Sequence, residues 1–236
     1  MNRLALMLLR NITRFPAIYR KLCRYAKHPE RYPEQEMWDH MSNMMALAAN
    51  AGNLHLQVTG TEHIPQEGGF MLYGNHQGLF DVVALAVSCP RPLGCVYKKE
   101  LRNTPLLKQI YACTKSFAMD REDVRQSLTV IQQVTEEVKK GRPYLIFPEG
   151  TRSKQGNTMG SFHGGSFRCA TKSKCPVVPF ALIDSFRVLD QKGSDPLTVQ
   201  LHYLDLIPHE EYKDMKPAEL AQLVKDRIQA AIDAST

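Results

Sequence analysis

Residues 74–81 read Gly74-Asn75-His76-Gln77-Gly78-Leu79-Phe80-Asp81 and follow a short apolar run. His76 and Asp81 form an H-x4-D pair. On one regular helix, side chains five apart diverge by about 140°. The two meet only if His76 sits in a turn and Asp81 in the first turn of the helix that follows, and Gly74 and Gly78 make such a turn cheap. Asp81 would then accept from one imidazole nitrogen and fix the tautomer. The other nitrogen would be free to take a proton from a hydroxyl. With no Ser or Cys nucleophile in this segment, the histidine would act on the substrate directly. The plain alternative is a capping Asp beside a surface His.

A second segment, Phe147-Pro148-Glu149-Gly150-Thr151-Arg152-Ser153, also follows an apolar run. The Pro ends a strand, the Gly permits close backbone approach, and Glu, Thr, Arg and Ser project from one loop. Arg152 suits bidentate contact with a phosphate, with Thr151 and Ser153 donating to its oxygens. An ordinary charged loop is the plain alternative.

Asn75-His76…Asp81 followed by Phe-Pro-Glu-Gly-Thr-Arg-Ser resembles the glycerolipid acyltransferases, closest in type to the bacterial 1-acyl-sn-glycerol-3-phosphate acyltransferases. Two further blocks extend the likeness: Tyr97-Lys98-Lys99-Glu100-Leu101 with Met119-Asp120-Arg121, and Pro176-Val177-Val178-Pro179-Phe180. Phe162-His163-Gly164-Gly165 resembles the family's F-K-x-G element, with His163 in place of Lys. The resemblance covers about Leu54 to Ile207, with four blocks in order.

It implies His76 as general base and Asp81 as its orienting partner. Lys98, Arg121, Glu149, Gly150, Thr151 and Arg152 become the phosphate-binding and acceptor-positioning group, though a structural salt bridge is an equal reading for Arg121. Asn75 would shape the loop, and Ser153 and Pro179 complete the motifs. The implied reaction moves a fatty acyl group from a thioester to the sn-2 hydroxyl of 1-acylglycerol-3-phosphate, giving phosphatidic acid. The co-substrate would be acyl carrier protein or coenzyme A thioester, with no other cofactor and no metal. Glycerol-3-phosphate or another lysophospholipid is the alternative acceptor, and a non-catalytic membrane-binding protein the alternative class. Oxyanion donors are expected near Gly78 or Val178–Phe180.

These residues need a scaffold that brings strand ends together. Strand patterns run over Leu54–Val58, Gly69–Tyr73, Gly94–Tyr97, Phe117–Met119, Tyr144–Phe147, Val177–Ile183 and Leu197–Tyr203. Helical patterns lie between them over Leu79–Ser88, Thr104–Tyr111, Glu122–Lys140, Phe162–Lys172 and Pro217–Ala231. Alternation of this kind predicts a layered α/β domain, residues 53–236, with a largely parallel or mixed central sheet flanked by helices.

Residues 1–52 read as a distinct N-terminal two-helix unit that associates with membranes. Residues 1–31 hold eight Lys or Arg and one acid, Glu30. Arg3, Arg10, Arg14 and Lys21 fall within a stripe of about 40° on a helical wheel, beside Leu4, Leu8, Phe15, Tyr19 and Leu22. A basic amphipathic helix in a membrane interface has this pattern, and a stripe of cations has no obvious structural task. Pro16 should kink or break the helix. The second helix spans Pro33–Asn50, with Met37, Met41, Met44 and Met45 on one side, suited to core or acyl-chain contact.

The formal net charge of +6 suits an anionic partner such as phospholipid headgroups. No nucleic-acid motif accompanies it. The six cysteines form no C-x-x-C pair and read as reduced thiols. No apolar run reaches the ~20 residues that span a bilayer. The expected location is the cytoplasmic face of a membrane, peripheral or monotopic.

Overall fold

The computed structural model describes residues 3–191 and 193–235. The chain opens with three helices, α1 (Arg3–Asn11), α2 (Phe15–Lys27) and α3 (Glu34–Ala51). Then follow β1 (Leu54–Thr59), β2 (Met71–Gly74), α4 (Phe80–Ser88), β3 (Gly94–Lys98), α5 (Leu107–Cys113), β4 (Phe117–Met119) and α6 (Val124–Lys139). The rest is β5 (Tyr144–Ile146), α7 (Arg168–Ser173), β6 (Val177–Ile183), α8 (Arg187–Asp190), β7 (Leu197–Tyr203), α9 (His209–Tyr212) and α10 (Pro217–Asp233).

The strands form one mixed seven-stranded sheet in the order β1-β7-β6-β2-β5-β3-β4. Five neighbours, β6, β2, β5, β3 and β4, run parallel. β7 is antiparallel to β6 and parallel to β1. Strand alternation splits the core in two. Leu72, Val178, Phe180 and Leu182 point to the layer of α2, α3, α4 and α5. Met71, Tyr73, Val177, Ala181 and Ile183 point to the layer of α6, α7 and α10. A sheet covered on both faces explains why β2, β5 and β6 read as unbroken apolar runs.

The N-terminal helices differ from the expected separate unit. Leu22, Tyr25, Met37, Trp38, Met41, Met44 and Met45 belong to the same core as Leu72 and Phe180. The Trp38 indole donates to the Cys89 carbonyl at 2.9 Å. Among the described residues, the helices from Arg3 to Ala51 thus pack as a layer of the α/β domain, and the Met stripe is core. Pro16 does break the first helix, standing in the first turn of α2, where its missing N–H costs nothing. Met1 and Asn2 lie outside the described residues.

The basic stripe also has structural work. Arg3 is buried and donates to the carbonyls of Gly52 (2.6 Å) and Asp195 (2.9 Å). Arg10 donates to the Ala51 carbonyl and to Asn53 Oδ1. Both guanidiniums satisfy open carbonyls at the C-terminal end of α3 and compensate its dipole. The expectation that the stripe has no structural task is corrected for these two residues. Among the described residues, no helix is long and apolar enough to cross a membrane.

Candidate active site

β6, β2 and β5 lie side by side and in parallel, so their carboxyl ends open onto one crevice. The chain leaves β2 for β3 on one side and returns from β5 to β6 on the other. Open α/β sheets bind ligands at such a crossing. His76 follows β2, Phe147–Ser153 follows β5, and Asp184 and Ser185 follow β6.

Asn75 sets the start of the first loop. Its Nδ2 donates to the Leu182 carbonyl and its Oδ1 accepts the Leu182 N–H, both at 2.8 Å. The side-chain amide extends the β2–β6 ladder by one rung after the backbone has turned away. Gly74 makes room for Phe180, since a Cβ there would lie 2.2 Å from the ring. Phe180 meets Phe147 edge-on at 6.0 Å, and Phe147 stacks on the His76 imidazole at 4.1 Å.

Asp81 stands in the first turn of α4 and is fully buried. Its Oδ2 accepts from His76 Nδ1 (2.7 Å), the Gln77 N–H (2.6 Å) and the Gly78 N–H (3.0 Å). Its Oδ1 accepts from the Ser185 hydroxyl. A carboxylate that collects donors fixes the proton on Nδ1. That leaves Nε2 as an acceptor.

Glu149 is buried, and its two oxygens accept from the His76 N–H (2.7 Å) and the Gly160 N–H (2.8 Å). It is a strut between loops. The expected place in a phosphate-binding group does not suit it, because a carboxylate repels an anion and each of its oxygens already holds a loop N–H. Ser153 ties the same loops through its N–H, which donates to the His76 carbonyl at 2.9 Å. Gly150 adopts φ +69°, a left-handed turn that turns the chain from Glu149 toward Thr151 and Arg152.

Beside these ties is an open cavity of about 260 Å³, lined by Glu149, Thr151, Arg152, Ser153, Gln155, Gly160, Ser161 and His163. The Arg152 guanidinium makes no hydrogen bond or ion pair among the described residues, so its donors are available. Lys98 and Arg121 lie at the same carboxyl edge, on β3 and just after β4. They are two and three strands from β2, about 10 and 14 Å across the sheet. Lys98 pairs with Glu100 at 3.3 Å on the surface. Lys99 pairs with Asp120, and that bond, with the Glu122 N–H, holds the Asp120 carboxyl below its usual range. Arg121 is exposed and forms no close ion pair among the described residues; partial burial lowers its pKa and the nearby Glu100 charge opposes this. The structure places all three at the rim, not against His76.

Pro179 is a strand residue of β6. Its carbonyl accepts from the Leu204 N–H, so its nitrogen faces the same side, where the ladder to β7 has not yet begun. The expected oxyanion donors are corrected. The Gly78 N–H is taken by Asp81, and Val178–Phe180 lie inside β6. Sequence reasoning missed Gln77, Asn157, Asp184 and Ser185. Gln77 bridges Asn157 and the Ser185 N–H, but no spacing rule connects residues about 80 and 108 apart. Among the described residues, no group of three or more His, Cys, Asp or Glu could hold a metal ion.

Fold and site define a layered α/β protein with a histidine–carboxylate pair on a loop bonded to the one that carries Arg152. The chain belongs to the acyltransferase family, whose model matches residues 55–183. It is 31% identical over 125 residues to the 1-acyl-sn-glycerol-3-phosphate acyltransferase of Helicobacter pylori, covering 53% of each chain. It is 25% identical over 173 residues to that of Borreliella burgdorferi, covering 72% of this chain and 69% of the relative. The yeast enzyme of the same name is 27% identical, over 74% of this chain and 59% of the relative. The chain thus spans between about half and two thirds of the length of these relatives. The crystal structure of the 1-acyl-sn-glycerophosphate acyltransferase PlsC from Thermotoga maritima superposes with a TM-score of 0.78 at 19% identity, covering 98% of this chain and 96% of that one. The mixed sheet flanked by helices and the N-terminal helices is therefore the fold of that enzyme.

Proposed function

We propose that the chain transfers a fatty acyl group from an acyl thioester to the sn-2 hydroxyl of 1-acylglycerol-3-phosphate. The observation that carries the reading is His76 Nδ1 held by Asp81 at 2.7 Å, on a loop whose His76 carbonyl accepts the Ser153 N–H next to Arg152. The relatives' names supply the acceptor.

The chemistry follows from the donor being already activated. Nε2 takes the proton of the sn-2 hydroxyl as the oxygen attacks the thioester carbonyl. The carbonyl re-forms, the C–S bond breaks, and the departing thiolate receives the proton from the imidazolium. The products are phosphatidic acid and a free thiol. A positioned general base contributes about 10²- to 10⁴-fold. Arg152, with the hydroxyls of Thr151 and Ser161, suits the acceptor phosphate and would fix the hydroxyl against the base. Arg121 and Lys98 at the rim suit the phosphates of an approaching donor or lipid headgroup.

The setting we propose is the surface of a membrane, on its cytoplasmic side. Leu8 and Leu9 of the first helix and Ile12 just after it are exposed, with Phe15 at the margin. Arg14, Arg20, Lys21, Arg24 and Lys27 stand exposed next to them. Apolar side chains flanked by cations suit an anionic interface.

The test is turnover of lysophosphatidate with coenzyme A and acyl carrier protein thioesters, run for the native chain and for His76→Ala. Phosphatidic acid from the native chain and a loss of at least about 10²-fold in the variant are expected. Unimpaired transfer by His76→Ala would end the reading. A panel of glycerol-3-phosphate and other lysolipids sets the acceptor.

A further inference from the structure

The carboxylate that holds His76 is itself held, on its other oxygen, by a residue far away in sequence. Asp81 Oδ2 carries three donors from its own loop, while Oδ1 has the Ser185 hydroxyl. Both residues are buried, Asp81 at 0% and Ser185 at 1% exposure. A carboxylate does not donate, so the hydroxyl must. No water reaches Oδ1 to replace it.

Ser185 is placed there by more than its own side chain. Asp184 ends β6 at φ +63°, a left-handed conformation that turns the chain back toward α4. The Asp184 N–H donates to Asn157 Oδ1 (2.9 Å), and Asn157 Nδ2 donates to Asp184 Oδ1 (3.2 Å). Gln77 Nε2 reaches the same Asn157 oxygen at 2.8 Å, while its Oε1 accepts the Ser185 N–H at 2.9 Å. The carboxyl ends of β2, β5 and β6 are joined in this way, and the joint ends on Asp81. A strained backbone residue supported by a closed set of side-chain bonds is typical of a position that must be held.

We infer that Ser185 is a positioning residue of the acyl-transfer site: its hydroxyl pins the second oxygen of Asp81, and through Asp81 fixes the orientation and tautomer of His76. The inference rests on the acyltransferase reading given above for its kinetic consequence, but not for its geometry. Without the hydroxyl, Oδ1 is left as a buried, unpaired acceptor, and the soft Cβ–Cγ torsion loses its second anchor while the three donors on Oδ2 remain. The imidazole would then lose the fixed acceptor that keeps Nε2 aimed at the hydroxyl. Substrate contacts would be unchanged, because Ser185 does not touch the cavity around Arg152.

The experiment compares Ser185→Ala and Ser185→Thr with the native chain, each alone and in an Asp81→Asn background. For Ser185→Ala, kcat should fall about 10- to 100-fold, the size common when an orienting group is removed. KM for lysophosphatidate should stay within about twofold, since ground-state binding is untouched. Ser185→Thr keeps the hydroxyl and should recover most of kcat. In the Asp81→Asn background, Ser185→Ala should add less than about a twofold further loss, because both act through one contact. The downfield proton resonance of His76 Nδ1–H should shift in Ser185→Ala and return in Ser185→Thr. Should Ser185→Ala not fold, Ser185→Cys, a weaker donor of similar shape, carries the same comparison. Native kcat in Ser185→Ala, a fully additive loss with Asp81→Asn, or an unmoved imidazole resonance would each overturn the inference. If the native chain transfers no acyl group, the functional reading falls, and the imidazole resonance alone decides the positioning role.

Discussion

Glu149 Oε1 lies 2.7 Å from the backbone nitrogen of His76, so the acid of one motif holds the main chain of the other. Its second oxygen holds Gly160, and both bonds are shielded from water. Glu149→Gln keeps the shape but turns one acceptor into a donor facing an N–H. It should lower stability by about 1–3 kcal/mol and reduce kcat, because the buried amide is left unpaired. Urea midpoints and turnover measured together check this. Native values for both would mean that the strut is dispensable.

Gly74 and Phe180 support the same ring from below. A methyl at Gly74 would meet the Phe180 ring at 2.2 Å, and through Phe147 the displacement reaches His76. Gly74→Ala should destabilise by about 1–3 kcal/mol, the usual range for overpacking. The double variant Gly74→Ala/Phe180→Leu should regain part of the lost activity. Absence of any rescue would separate the glycine from the ring stack.

Arg142 joins the first layer to the sheet through ion pairs with Glu34 and Glu137. Burial pushes the Glu34 carboxyl up, but bonds from Arg142 and Lys115, with their charges, outweigh it and hold it below the usual carboxylate range. The Lys140 bond, with Arg142, holds Glu137 down as well. Folded values below unfolded ones mean that this contribution is present above about pH 5 and fades as pH falls through the ordinary carboxylate range and below. Both carboxylates are partly solvated, so the contribution is modest. Arg142→Met should lower the urea midpoint at pH 7 and flatten its fall between pH 5 and pH 3. A parallel downward shift at all three pH values would mean that the pairs carry no pH dependence.

Two cations of the first helix divide by task from their neighbours. Arg3→Met removes bonds to two carbonyls and should lower Tm. The triple change Leu8→Ser, Leu9→Ser and Ile12→Ser removes exposed apolar surface and should leave Tm within a degree or two. Cosedimentation with anionic vesicles should be lost in the triple variant and kept in Arg3→Met. Vesicle binding by the triple variant would place the lipid contact elsewhere.

The helix and strand pattern was legible because apolar periodicity reports burial directly. β4, β6 and β7 begin and end where the sequence placed them. Boundaries slipped where local backbone geometry decides. The helix expected from Thr104 starts at Leu107 because Leu106, at φ +70°, is not helical. The stretch Phe162–Lys172 divides into a tight turn at Gly164–Phe167 and α7, with Gly164 packed against the Ala218 backbone.

The sequence by itself determined which side chains can do chemistry, since His76 and Asp81 are close along the chain and a short turn suffices to bring them together. Tertiary structure alone decided how they are held. Ser185 is 104 residues from Asp81 and Glu149 is 73 from His76, separations that no local pattern encodes. It also decided that Arg3 and Arg10 serve helix carbonyls before any lipid, because a charge on a helical wheel shows a direction and not what lies there. Local spacing sets what a segment is able to do; the parallel alignment of β2, β5 and β6 sets which segments do it together.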